Sequence, residues 1–383
     1  MINYFDKYSN LVKHALRSAE YPLHKYGISY LPYLLRSTYA FPPLIILVAI
    51  NGICNLRCKM CDVGQQNKES TFYKNSSFDN KQSLDLRILK KFIDGLYPWK
   101  PFICVNSAEP LLRKDIFKFI SYCKQKGMPV QLSTNGFLLP GFADKLLDSG
   151  LDRLFVSMDG PEAIHDDIRG TPGSYNNCIS GIEKVIEKRE ERRSAKPAIQ
   201  INYTITNHNY FSLVEFFDKI KGLKLKYVLF SHYNFISKEM ADLHNNIFGK
   251  VRKVYPSNIS ACDPAKVDVN ILSDQILKVK KEARGQGVRV IFQPDIDKEG
   301  LHVYYNEHLK YVTGDKCYMP WISAQIRADG EIITAIRCWD YSFGNIKDSN
   351  FKDIWNSSSV RMMRSMLLKR GSFPMCSRCC SIM

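Results

Sequence analysis

No apolar run in the sequence reaches the ~20 residues that span a bilayer; the longest, at 41–50, falls well short. No charged n-region, apolar h-region and cleavage site open the chain, which predicts a cytoplasmic protein. Acidic residues are the minority: 38 Asp and Glu stand against 54 Lys and Arg, a formal net charge of +16. That balance suits an anionic partner (a phosphorylated substrate, nucleic acid or a membrane surface), or else it describes a generally basic surface. No basic run is long enough to form a tail, and no nucleic-acid partner is expected.

A disulfide framework needs an oxidising compartment, so the missing export signal also removes that use for cysteine. Twelve cysteines in 383 residues then argue for metal or redox work. They are clustered, with three at 54–61 and five at 317–380.

Residues 1–40 place Phe5, Tyr8, Leu11, Val12, Ala15 and Leu16 at helical spacing among Lys7, Lys13 and Arg17. This stretch is read as an N-terminal helical extension, which either packs on its own domain or touches a membrane surface peripherally. From residue 41, strand-like runs (LIILVAI, PFICVNS, PVQLSTN, RLFVSMD, AIQINYTIT, KYVLFSH) alternate with helical stretches as far as 235. Six such repeats predict parallel βα units, as an open sheet or a partial barrel, with the chemistry at the strands' carboxyl ends. Residues 236–310 read as a helical bridge with one further strand, VRVIFQP, extending the sheet. A cysteine-rich α+β domain is expected over 311–383, with a hairpin at AQIRADGEIITAIRCW and one helical stretch in NFKDIWNSSSVRMMRSMLLKR.

Cys54, Cys58 and Cys61 follow the first strand in NGICNLRCKMCDVG. Their i, i+4, i+7 spacing is also that of one buried helix face, but the intervening Asn55, Arg57 and Lys59 are polar. Zinc wants a fourth protein ligand, and the segment offers none. A [4Fe–4S] cluster held by three thiolates leaves one iron open to a small molecule.

The CxxxCxxC spacing after a first strand resembles that of the radical SAM superfamily, a partial (β/α)6 barrel. The resemblance implies a cluster on Cys54, Cys58 and Cys61 whose open iron chelates S-adenosylmethionine (SAM), cleaved reductively to a 5′-deoxyadenosyl radical. VNSAEPLL resembles the family's GGEP loop, with Ser107 and Ala108 in place of two glycines and Glu109 retained. LSTNG and VSMDGPEAIHDDIRG look like later family strands. By that likeness Met60, Ser107, Ala108, Glu109, Asn135, Ser157 and Arg169 bind SAM.

Cys317, Cys338, Cys376 and Cys379, with Cys380 adjacent, suit either zinc or a closed [4Fe–4S] cluster, and spacing does not choose between them. Here the sequence resembles the SPASM and Twitch extensions of radical SAM enzymes. That implies one auxiliary [4Fe–4S] cluster, which takes an electron from the substrate, and an external donor such as flavodoxin or ferredoxin.

Oxidation of a sugar, aminocyclitol or glycolipid-like substrate, anionic to suit the charge, is the leading expectation. The alternatives are a peptide maturase forming thioether or C–C crosslinks, a redox-neutral epimerase, or a non-catalytic zinc module. The 40 residues before the barrel are few for a leader-peptide module. No acid or base is assigned: His165, His232, Tyr233, Trp339 and Asp340 fall near strand ends or cysteine loops, where most such residues are structural. Cys104, Cys123, Cys178 and Cys262 read as small buried hydrophobes or as hydrogen-atom donors.

Overall fold

The structure is a computed structural model that describes residues 23–76, 83–106, 108–339 and 341–379. The amphipathic stretch at 5–17, Ser107, Asp340 and Cys380 therefore lie outside the described residues.

Six β-branched or aromatic runs become parallel strands in chain order: β1 Ile45–Val48, β2 Phe102–Val105, β3 Val130–Thr134, β4 Arg153–Ser157, β5 Ala198–Ile205 and β6 Tyr227–His232. Each pairs with its sequence neighbour, and β7, Arg289–Gln293, adds itself in parallel to β6 as the run VRVIFQP predicts. Helices return the chain between strands, as parallel pairing requires. Helix Leu86–Leu96 shows how: Asp85 accepts from the Arg87 amide at its start, and Leu89, Phe92, Ile93 and Leu96 fall on one buried face. At about 1.5–3 kcal/mol per fully buried large side chain, that face holds the helix to the sheet.

On the other side of β1 the sheet continues. β8, Ser323–Ile326, pairs with β1 in parallel, and β9, Glu331–Ile333, and β10, Gly344–Asn345, follow antiparallel. The AQIRADGEIITAIRCW hairpin is thus present as β8 and β9, with the order β10-β9-β8-β1-β2-β3-β4-β5-β6-β7 open at both ends. The stretch NFKDIWNSSSVRMMRSMLLKR is two helices, Phe351–Trp355 and Ser358–Arg370, rather than one. The break has a cause in Asn356, whose side chain is drawn off by the backbone of Ala40 (3.0 and 3.1 Å) and by Arg364 (2.7 Å).

Helix Leu23–Leu34 lays Tyr30 and Tyr33 against Tyr318 and Trp321, with centroids 5.0–6.0 Å apart, and leaves Ile28, Leu31 and Leu34 exposed. Among the described residues no helix is long and apolar enough to cross a membrane.

Candidate iron–sulfur and ligand site

The segment 51–64 is loop, so the helix-face reading of the three cysteines does not apply. It is stitched into place by its backbone. The amide of Glu109 donates to Ile53 O, that of Arg57 to Arg169 O and that of Lys59 to Ile168 O, while the Asn51 side chain donates to Glu109 O. Two glycines permit the close approach. Gly170, at φ +66°, ends helix Glu162–Arg169, and a Cβ there would stand 2.9 Å from Arg57 O. A Cβ on Gly64 would lie 2.6 Å from Cys58 N.

Cys54, Cys58 and Cys61 all line one cavity of about 300 Å³ at the strands' carboxyl ends. Residues from β3, β4, β5 and the turns after β2 and β6 share it with Ile336 and Arg337 from beyond β9, so the strand ends curve around a common space. Met60, Ala108, Asn135, Ser157 and Arg169 also line it.

Glu109 lies behind the wall, fully buried. Its carboxylate accepts from Leu111 N (2.9 Å), the Thr134 hydroxyl (2.8 Å) and Asn135 N (2.7 Å), while burial lifts its pKa to about 7. Asn135 Nδ2 is 3.8 Å from Cys54 Sγ and 2.8 Å from Asn55 Oδ1. Arg169 places Nη1 3.7 Å from Cys58 Sγ and pairs through Nη2 with the buried Asp159 carboxylate. Burial raises the thiol pKa of Cys54, and that of Cys58 to about 12, the Arg169 charge opposing it at Cys58. Thiols held this way become thiolates when a cation binds them, and that binding releases their protons to solvent.

The second set is equally enclosed. Burial pushes Cys317 to about 12 and Cys338 to about 11 and raises Cys376, and Cys317 and Cys338 both act on Cys376 through their charges. Cys379 is half-buried beside them on the loop closed by its amide to Cys376 O. Among the described residues no three His, Cys, Asp or Glu side chains converge on the point a single metal ion would occupy. A four-iron cluster takes one thiolate per iron, and the three thiols of Cys54, Cys58 and Cys61 around one cavity are donors of the kind it takes.

Of the unassigned candidates, Tyr233 lines the cavity, whereas His232, bonded to Tyr305, Trp339 and His165 are buried in the protein. His165 Nδ1 accepts from the Asp159 amide at 3.0 Å. Cys123, Cys178 and Cys262 are buried and Cys104 is half-buried. Sequence reasoning missed Phe72, Asn258 and Arg337, all of which line the cavity. The one signal available was that Arg337 directly precedes Cys338.

Residues 48–220 match the family model of the radical SAM superfamily, and 317–380 match SPASM, an iron–sulfur cluster-binding domain. An AdoMet-dependent heme synthase of Methanosarcina barkeri is 25% identical over 347 residues, covering 87% of this chain and 88% of that protein. An Fe-coproporphyrin III synthase of the same organism is 25% identical over 353 residues, covering 85% and 78%. Among solved structures, Streptococcus suis SuiB bound to S-adenosylmethionine superimposes with a TM-score of 0.60 at 15% identity, covering 98% of this chain and 83% of SuiB. At that identity the likeness is one of fold.

Proposed function

Because the chain belongs to the radical SAM superfamily and carries a C-terminal SPASM-type iron–sulfur domain, we propose that it oxidises a small, cofactor-type substrate, with the electron leaving through the auxiliary cluster. When bound at Cys54, Cys58 and Cys61, the cluster and SAM supply a 5′-deoxyadenosyl radical for hydrogen abstraction. The residues of the chain do the rest. Asn135 and Arg169 lie against the Cys54 and Cys58 sulfurs, Met60, Ala108 and Ser157 line the cavity that SAM would enter, and Cys317, Cys338, Cys376 and Cys379 would hold the auxiliary cluster. The observation that carries this reading is that all three N-terminal thiols open into the same cavity as the strand ends.

Relatives named for heme synthesis align along most of this chain, which favours a cofactor-type substrate over the sugar, aminocyclitol or glycolipid expected from the sequence. The peptide alternative is supported by likeness of fold alone, as to SuiB bound to its precursor peptide. We place the enzyme in the cytoplasm, served by a flavodoxin or ferredoxin.

The test is anaerobic reconstitution followed by SAM and a strong reductant. Wild-type protein with about eight irons per chain should form deoxyadenosine. Cys58→Ala should lose about half the iron and all deoxyadenosine, and Cys376→Ala should lose half the iron yet still cleave SAM. Zinc in the C-terminal site would remove the electron exit, and no deoxyadenosine from wild type would remove the enzyme.

A further inference from the structure

The cavity contains groups that the thiols and their supports do not use. Tyr233, directly after β6, is only 2% exposed, yet its hydroxyl has no hydrogen-bond partner. A buried hydroxyl left in that state is costly unless a ligand completes it. Arg337 is exposed and enters from the opposite end of the chain. Its backbone is pinned on both sides: Ile336 N donates to Gln325 Oε1 at 2.7 Å, and Asn75 Nδ2 donates to Ile336 O at 3.1 Å and Cys338 O at 2.8 Å. The guanidinium stands over the Phe72 ring at 5.7 Å and has no acidic partner among the described residues.

The other charges around the cavity are spoken for. Arg169 is paired with Asp159. Asp62, the acidic residue among the lining side chains, accepts from Asn258 N at 2.7 Å and Asn67 Nδ2 at 3.2 Å. Among the described lining residues, Arg337 is left as the positive charge without an acidic partner, its backbone pinned, and the buried donors without a hydrogen-bond partner are the Tyr233 hydroxyl and Arg169 Nε, the latter on a guanidinium already paired with Asp159.

We infer that the substrate presents an anionic oxygen group, a carboxylate or a phosphate, to Arg337, with the Tyr233 hydroxyl donating to the same group. The inference rests on the reading of the preceding subsection and deepens it by naming what the substrate carries. It also fixes orientation, because Arg337 adjoins Cys338, so the anionic end of the substrate lies toward the auxiliary ligands.

The test uses the full-length, reconstituted protein under saturating SAM, which keeps the SAM site filled. Inorganic phosphate is followed by phosphorus NMR line width and succinate by proton saturation transfer, and the two arms tell phosphate from carboxylate. At least one should bind wild type saturably, about tenfold more weakly in Arg337→Gln and about threefold more weakly in Tyr233→Phe, with Arg337→Lys in between. Iron content and cluster EPR confirm that each variant is intact. Saturable binding to neither anion, or equal binding by wild type and Arg337→Gln, overturns the inference. Deoxyadenosine formation by wild type is scored separately, so a failed enzyme reading and a failed anion site are told apart.

Discussion

The amide of Asn135 donates to the Glu109 carboxylate at 2.7 Å, tying the turn after β3 to the turn after β2 under the cavity floor. The carboxylate takes two further donors, so Glu109→Ala strands three of them in a site without water access. The expected loss is about 3 kcal/mol, and Glu109→Gln, which keeps one acceptor oxygen, should lose about half of that. Urea unfolding of the apoprotein measures both. An alanine variant within about 0.5 kcal/mol of wild type would show that the three donors find other partners.

The strands were legible because a parallel sheet buried on both faces leaves unbroken runs such as LIILVAI, and the thiol loop because three cysteines in fourteen residues have few structural uses. The cavity's remaining lining was not, for a reason of distance. Phe72 sits on a six-residue helix with no periodicity to detect, Asn258 in a turn at φ +60°, and Arg337 lies some 280 residues from the loop it faces. Such residues meet only through pairing that no local pattern encodes, here β8 against β1. The split at Asn356 escaped for the same reason, since its partner Ala40 lies at the far end of the chain.

Gly64→Ala tests the closeness of the thiol loop. The added methyl would meet Cys58 N at 2.6 Å and Cys58 O at 2.8 Å, both backbone, so the loop itself must shift. The variant should retain the auxiliary cluster and bind only about four irons per chain. Full iron loading would mean that the loop has room to spare.

Asp159 and Arg169 form a buried pair, and the Asp159 carboxylate also accepts from Thr204 N at 2.8 Å. Removing either charge leaves the other uncompensated, at a cost of about 3–5 kcal/mol. Asp159→Asn and Arg169→Gln should each destabilise the apoprotein by about that amount, while the double variant costs no more than the worse single. Additive losses in the thermodynamic cycle would deny the coupling.

His232 gives a pH dependence whose sign is fixed. It is 3% exposed at the end of β6, with Nδ1 2.8 Å from the Tyr305 hydroxyl, and burial, followed by the charge of Lys280, lowers its pKa to about 3. An unfolded histidine titrates near 6.5, so below that pH the unfolded chain binds a proton that the native one refuses. The contribution is complete above pH 6.5 and is lost as pH falls toward 3, amounting to about 2 kcal/mol by pH 5. Asparagine can keep the contact with Tyr305 but cannot titrate. The stability of wild type relative to His232→Asn should therefore be constant between pH 7 and 8 and shrink by about 2 kcal/mol at pH 5. His165 and His244, also held neutral by burial, are common to both proteins and cancel in the difference. A difference that stays level from pH 8 to 5 would mean that His232 accepts its proton inside the fold, with water reaching the end of β6.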